Sequence, residues 1–256
     1  MLFDTHMHLN ARQFEEDQEE VIQRATEAGV TTMVVVGFDD ETIPLAIELA
    51  EKYDHIYAAV GWHPVDAIDC TSEHLDWLES LTKHPKVVAL GEMGLDYHWD
   101  KSPKEVQQEV FRKQIRLAKK LQMPIIIHNR EATADVIRIL QEEDVAEIGG
   151  IMHCYSGTLE EVQSCLDMNF YISLAGPVTF KNAKEVKEVA KIIPLERLLI
   201  ETDAPYLAPH PYRGKRNEPS YVKLVAEEIA RLREMDFTTI CEITTRNAFD
   251  IFGIKK

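Results

Sequence analysis

The sequence predicts an α/β fold, a (β/α)8 TIM barrel that forms a single domain over residues 1–256. Eight short apolar segments recur along the 256 residues, and stretches with helical periodicity separate them. Eight strand–helix units in about 250 residues is the size of such a barrel. A doubly wound open sheet is the second choice, but no glycine-rich dinucleotide or phosphate loop follows the first apolar segment.

The apolar segments contain β-branched residues with little alternation of apolar and polar positions. This pattern is typical of parallel strands that are buried on both faces. The predicted strands are residues 2–5, 32–36, 56–60, 87–90, 124–127, 150–152, 170–174 and 197–200.

The helical stretches between the strands end where glycine or proline stops them. A helix over 18–28 ends at Gly29, which suits the first position after a helix, and a helix over 106–121 ends before Pro124. Two further helices are predicted over 222–232 and 237–252.

Composition narrows the classes of function. With 28 basic and 44 acidic residues, the net charge of −16 argues against a protein that coats nucleic acid through a broad basic surface. This net charge is still compatible with an enzyme that binds a few phosphates locally. The four cysteines form no C-x-x-C pair, and we find neither a secretory signal nor an apolar run long enough for a membrane span. We therefore expect a cytoplasmic protein with reduced thiols.

The first strand ends in two histidines, His6 and His8. Side chains alternate between the two faces of a strand, so these imidazoles point the same way, about 6.6 Å apart along the chain. A pair of neutral imidazoles on one face is half of a metal site.

Other potential ligands follow the later strands. Because active sites of barrel enzymes lie at the carboxyl ends of the strands, these residues are expected to meet at one mouth. Four histidines with two or three carboxylates there predict a site for two or three divalent metal ions, Mg²⁺, Mn²⁺ or Zn²⁺. The predicted ligands are His6, His8, Glu92, His128, His153 and Asp203.

The strand positions suggest how these ligands share the ions. Two ions about 3.5–4 Å apart need a bridging carboxylate, and Glu92 lies midway round the barrel. His6, His8 and Asp203 come from adjacent strands and can share one ion. His128 and His153 can hold the other. The expected nucleophile is a metal-bound hydroxide, whose proton Asp203 can accept.

Two further residues at the rim have more than one interpretation. His63, in the sequence Gly61-Trp62-His63-Pro64, contacts the substrate or shapes its loop. Glu201, two residues before Asp203, is an additional acid, a residue that positions water, a further metal ligand, or an ion-pair partner of Arg197 or a loop arginine. With Glu92 and Asp203, both are predicted catalytic residues.

The long loop after the eighth strand, residues 204–220, carries the basic residues Arg213, Lys215 and Arg216, and Lys181 lies in the loop after the seventh strand. With Arg130 they are predicted to bind substrate phosphates. Tyr155 is predicted to stack on bases, as are Trp62, Tyr97, Trp99 and Tyr206.

These motifs together resemble the TatD family of metal-dependent deoxyribonucleases, which are amidohydrolase-like barrels. The resemblance runs end to end and rests on residues 4–8, 61–64, 91–96, 128, 153–157 and 201–205. It implies a TIM barrel, two or more divalent ions held by the ligands named above, and 3′→5′ cleavage of single-stranded DNA in the cytoplasm. No departure from the family pattern occurs at the ligand positions.

We therefore expect a metal-dependent nuclease with a DNA substrate, no membrane association and no obligate protein partner. The alternative is an amidohydrolase or deacylase that uses the same ions on a small C–N or ester substrate, which the net charge of −16 favours. A barrel that binds metal without catalysis is the third hypothesis.

Overall fold

The computed structural model describes residues 1–255, and in it eight parallel strands form one sheet in sequence order. This arrangement confirms the predicted (β/α)8 barrel. The strands are β1 Leu2–Met7, β2 Val30–Gly37, β3 Ile56–Val60, β4 Val87–Asp96, β5 Ile125–Arg130, β6 Gly150–Met152, β7 Phe170–Leu174 and β8 Leu198–Ile200.

Helices follow the strands and cover the outside of the sheet. The four helices expected from periodicity are present within one or two residues of the predicted bounds. The helices are α1 Gln18–Glu27, α2 Thr42–Lys52, α3 Ser72–Leu81, α4 Lys104–Leu121, α5 Thr133–Glu142, α6 Leu159–Asp167, α7 Lys184–Ile192, α8 Val222–Arg233 and α9 Phe237–Phe252.

The first and last strands meet through bonds at their carboxyl ends. The backbone N–H of Asp203 donates to the carbonyl of His6 over 2.9 Å, and that of His8 donates to Ala204 over 2.7 Å. The hydroxyl of Thr5 donates to the carbonyl of Ile200 over 3.0 Å. These bonds bring the residues after β8 beside the first histidine pair.

Apolar side chains fill the barrel and its amino-terminal end. One buried cluster contains inward residues of the strands together with Ala248 and Phe252 of α9. The ring of Phe3 stacks on Phe252 at 5.8 Å and meets the edge of Phe249 at 5.3 Å. Thus α9 covers this end, and the potential metal ligands lie at the opposite, carboxyl-terminal mouth.

Four strands, β1, β2, β4 and β5, are longer than the sequence pattern predicts, and three of them extend through residues of the mouth. β1, β4 and β5 continue to Met7, Asp96 and Arg130, so His6, Glu92 and His128 lie within strands rather than after them. The apolar pattern ends earlier because polar side chains face each other across the mouth, while the ladder of backbone bonds continues. Within residues 1–255, none of the helices has the length and apolarity needed to cross a bilayer.

Candidate metal centre

The carboxylate of Glu92 lies at the centre of the mouth, and its two oxygens face different histidines. Oε2 lies 3.4 Å from Nε2 of His6 and 3.7 Å from Nε2 of His8. Oε1 lies 2.6 Å from Nδ1 of His128 and 3.0 Å from Nε2 of His153. Since the side chain is 96% buried, these contacts occur away from bulk water. A carboxylate between two imidazole pairs has the geometry of a bridging ligand.

The first group of donors consists of His6, His8, Asp203 and Oε2 of Glu92. Nε2 of His6 and Nε2 of His8 are 3.3 Å apart, and Oδ1 of Asp203 lies 3.8 and 3.4 Å from them. Zinc–nitrogen bonds of about 2.0–2.1 Å in a tetrahedron would place donors about 3.3–3.4 Å apart. The observed spacings therefore fit one small divalent cation.

The second group surrounds Oε1 of Glu92. It contains Nδ1 of His128 and Nε2 of His153, with Nε2 of His63 at 3.7 Å from the same oxygen. Three sets of donor atoms at the mouth each lie within 4.8 Å of one another: His6, His8 and Asp203; His6, His153 and Glu201; and His63, Glu92 and His128.

Acceptors on the outer side fix three of the imidazoles so that their other nitrogen faces inward. Nδ1 of His8 lies 3.2 Å from the carbonyl of Val36, and Nδ1 of His153 lies 3.1 Å from Oε1 of Glu201. Nε2 of His128 lies 2.9 Å from Oδ2 of Asp96. A proton on the outer nitrogen leaves the inner lone pair free, which is how metal-ligating histidines are oriented. The donor set therefore fits divalent cations.

Two glycines allow the strands to approach each other around Glu92. Gly91 and Gly94 have φ of +145° and +144°, values that side chains rarely adopt. A Cβ atom at Gly94 would lie 2.0 Å from the carbonyl oxygen of His128, and one at Gly91 would lie 2.6 Å from that of Ile126. These glycines let β5 bring His128 against Glu92.

The carboxylates of Glu92 and Asp203 are ionised, and neighbouring carboxylates shift the pKa of His153. Burial favours the neutral form of Glu92, but His153, His128 and His6 outweigh it and hold its pKa well below the usual range. The pKa of Asp203 is lowered in the same way, against burial, chiefly by His8. Against the effect of burial, Glu92 and Glu201 raise the pKa of His153 well above its ordinary value. Ionised Glu92 and Asp203 thus offer the centre negatively charged oxygen donors for a cation.

His63 differs from the other histidines at the mouth. Its Nδ1 accepts a hydrogen bond from the N–H of Val65 over 3.2 Å. Burial, followed by repulsion from His128, lowers its pKa to about 3, so the ring is neutral. A neutral ring that accepts at Nδ1 carries its proton on Nε2, the atom that faces Glu92. This arrangement suits a hydrogen-bond donor to substrate better than a metal ligand.

Glu201 lies beneath the mouth and is fully buried. Its Oε1 accepts from the N–H of Cys154 over 2.7 Å and faces Nδ1 of His153, while Oε2 has no hydrogen-bond partner among residues 1–255. No bond connects it to Arg197, whose guanidinium lies over Tyr171. The contacts add an interpretation that the sequence did not offer, in which Glu201 orients His153.

Two buried carboxylates near the centre were not singled out from the sequence. Asp96 orients His128, and its position four residues after Glu92 on one strand was a usable signal, since such residues share a face. Asp4 accepts from the N–H and hydroxyl of Thr202 over 2.9 and 2.5 Å. This second pairing depends on the β1–β8 contact and has no local sequence signal.

The structure separates the predicted substrate-binding residues into exposed and buried ones. Arg130, Arg213 and Lys215 are exposed at the rim, the first beside Trp99 and the second over Phe180. Tyr155 is only 4% exposed, packs in the core and donates its hydroxyl to the carbonyl of Thr158. Trp62 is 2% exposed and donates to Asp66. Neither ring is exposed enough to stack on a base in this position, which contradicts the predicted role of both in binding.

Comparison with known proteins supports a metal-dependent hydrolase independently of the geometry of the centre. A family model described as "TatD related DNase" matches residues 3–253. The chain is 64% identical to the Bacillus subtilis protein "Uncharacterized metal-dependent hydrolase YabD", over 99% of this chain and 100% of that protein. It is 36% identical to the Citrobacter koseri protein "3'-5' ssDNA/RNA exonuclease TatD", over 99% of each chain.

A solved structure agrees with these sequence matches. The crystal structure of YJJV, a TatD homologue from Escherichia coli K12, superimposes with a TM-score of 0.93 at 31% identity. The alignment covers 99% of this chain and 98% of that one.

Proposed function

Because this chain belongs to the family of TatD-related DNases, which are metal-dependent hydrolases, we propose that it cleaves phosphodiester bonds of single-stranded DNA from the 3′ end. The main support is the set of inward-facing imidazole nitrogens around Glu92, three of them fixed from behind by Val36, Glu201 and Asp96. The relative from Citrobacter koseri, named as a 3′–5′ exonuclease, supports the polarity.

We assign the predicted ligands to two cation positions. His6, His8, Asp203 and Oε2 of Glu92 would hold one cation, and Oε1 of Glu92 with His128 and His153 would hold the other. When bound, Mg²⁺, Mn²⁺ or Zn²⁺ supplies an acidified water as nucleophile and neutralises charge on the reacting phosphate.

The chain's own residues would have distinct tasks. Glu92 keeps the two donor groups together, and Asp203, ionised at neutral pH, accepts the proton of the attacking water. His63 directs its Nε2–H toward the mouth and would donate to a phosphate oxygen. Glu201 would act through His153 rather than on the substrate.

The test is cleavage of a labelled single-stranded oligonucleotide with Mg²⁺, Mn²⁺ or Zn²⁺, with the label at either end to reveal polarity. We expect shortening from the 3′ end that requires the cation. Glu92→Gln should lower kcat/KM about 100-fold or more, since a bridging ligand supports several kcal/mol of catalysis. Glu20→Gln, an exposed acid on α1, is the matched control and should behave as wild type.

The same preparation should be tested on acyl and lactone substrates. Turnover of these without cleavage of any nucleic acid would overturn the nuclease proposal in favour of a deacylase. Metal binding without any turnover would overturn both. We also propose a cytoplasmic location, supported by four cysteines that are all free thiols.

A further inference from the structure

The rim of the barrel carries an uneven distribution of charge. The loops that follow β1 to β5 each contain at least one acidic residue. In contrast, residues 170–184 around the end of β7 and residues 204–217 after β8 contain no aspartate or glutamate. Together these two segments carry five lysines and arginines in a chain of net charge −16. The β7–β8 side is therefore where an anion would approach most easily.

Packing brings these two segments together on one surface. The guanidinium of Arg213 lies 4.5 Å from the ring centroid of Phe180, and the N–H of His210 donates to the hydroxyl of Thr179 over 2.8 Å. Gly176 packs so closely that a Cβ would lie 1.9 Å from the carbonyl oxygen of Leu207. Lys181 thus lies next to the loop that carries Arg213 and Lys215.

Four of these five cations have no ion pair among residues 1–255; one of the four, Lys184, begins α7, and the other three lie in the two loops. Lys181, Arg213 and Lys215 are exposed, and no ion pair within 4.0 Å involves them among residues 1–255. Arg216 is not available in the same way, because Asp17 and Glu218 pair with it. We call Lys181, Arg213 and Lys215 the β7–β8 patch.

An aromatic side chain connects the patch to the metal centre. Tyr206 is 48% exposed, and its ring centroid lies 5.9 Å from that of His8. It belongs to the same loop as Arg213 and Lys215. A half-exposed ring beside a metal ligand offers a surface on which a base can stack.

We propose that the β7–β8 patch binds the backbone of the part of a single strand that is not being cleaved, with Tyr206 under a base near the reacting end. The substrate strand would leave the mouth over β7 and β8 rather than past Arg130, which the acidic Glu131 follows directly in the sequence. This inference rests on the proposed nuclease function. It adds that affinity depends on strand length and on salt.

The test compares binding and cleavage of a long and a short substrate. The patch variant is Lys181→Gln, Arg213→Gln and Lys215→Gln together. The control variant is Lys113→Gln, Arg116→Gln and Lys120→Gln, which removes three charges from the exposed side of α4. Fluorescence anisotropy with a labelled 15-nucleotide strand in EDTA measures binding without any turnover, and circular dichroism melting verifies that each variant is folded.

Loss of three phosphate contacts in the patch variant should lower the slope of log Kd against log salt by about 2, at about 0.7 per contact on a single strand. If the two proteins bind equally at about 1 M salt, the patch variant should therefore bind the 15-nucleotide strand about 100-fold more weakly than wild type at about 0.1 M salt. Its ratio of kcat/KM between the 15-nucleotide strand and a dinucleotide should fall by a similar factor. The control variant should match wild type in both measurements.

Equal weakening in the patch and control variants would overturn the inference, since it would indicate only an effect of total charge. Equal affinity for duplex DNA or for anionic lipid vesicles would overturn the assignment to a single strand. If wild type binds the strand through the patch in EDTA but cleaves no nucleic acid with any cation, the proposed nuclease function fails while the binding surface stands. If the patch variant cleaves the strand with an unchanged length preference, the nuclease function stands and the proposed binding surface is wrong.

Discussion

Glu201 provides the most direct test of whether the buried carboxylates orient the metal ligands or take part in the chemistry. Its Oε1 lies 3.1 Å from Nδ1 of His153 and 2.7 Å from the N–H of Cys154. Glu201→Gln keeps the shape and an acceptor oxygen but removes the charge. Glu201→Ala removes the acceptor as well.

The size of each effect follows from these contacts. A hydrogen bond to a charged acceptor contributes about 1.5–3 kcal/mol, and a neutral one contributes about 0.5–1.5 kcal/mol. The difference of about 1–1.5 kcal/mol corresponds to roughly tenfold weaker cation binding for Glu201→Gln. Glu201→Ala leaves His153 without its acceptor and should weaken binding about 100-fold, the upper end for such partners.

Isothermal titration calorimetry with Mn²⁺ or Zn²⁺ measures these affinities, and Glu20→Gln is the control. At a saturating cation concentration, kcat of Glu201→Gln on the oligonucleotide should stay within a few fold of wild type. Unchanged cation affinity in both variants would refute the reasoning. A loss of kcat by more than about 100-fold at saturation would instead place Glu201 in the chemical step.

Three further predictions concern the glycines, the protons and the loop of the site. Gly94→Ala should lower the free energy of unfolding by about 1–3 kcal/mol more than Gly29→Ala, because both positions have positive φ but only Gly94 would meet a carbonyl oxygen, at 2.0 Å. Equal losses in urea denaturation would count against this account of the strand contact. In the cation-free protein, the pKa of His153 is raised because its carboxylate neighbours outweigh burial. Its ion pairs therefore stabilise the fold below the usual histidine pKa and lose that effect as pH rises through the raised value, while cation binding must displace the proton. The increase in Tm on adding Mn²⁺ should be larger at pH 8.5 than at pH 6, and an increase independent of pH would contradict this. Asn217 donates to the carbonyls of Thr202 and Tyr206 over 2.8 and 2.6 Å, so Asn217→Ala should release the loop after β8. Trypsin should then cleave that loop faster than in wild type, and an unchanged rate would show that other contacts hold it.

The sequence by itself determined the architecture and the identity of the residues at the mouth. Strand-like segments with β-branched residues and helical stretches ended by glycine or proline are local features, so they could be counted along the chain. Once eight parallel strands are assumed, every residue near a strand's carboxyl end lies at one rim. This was enough to select His6, Glu92 and His153, which are far apart in the chain.

Only the tertiary structure decided which atoms meet and which side chains are free. The protonated nitrogen of His63 depends on the N–H of Val65, and the burial of Tyr155 depends on how its loop turns into the core. Likewise, Arg213 and Arg216 look alike in the sequence, but Asp17 pairs with one of them and not the other. These outcomes depend on contacts between distant segments, which leave no signal in the local order of residues.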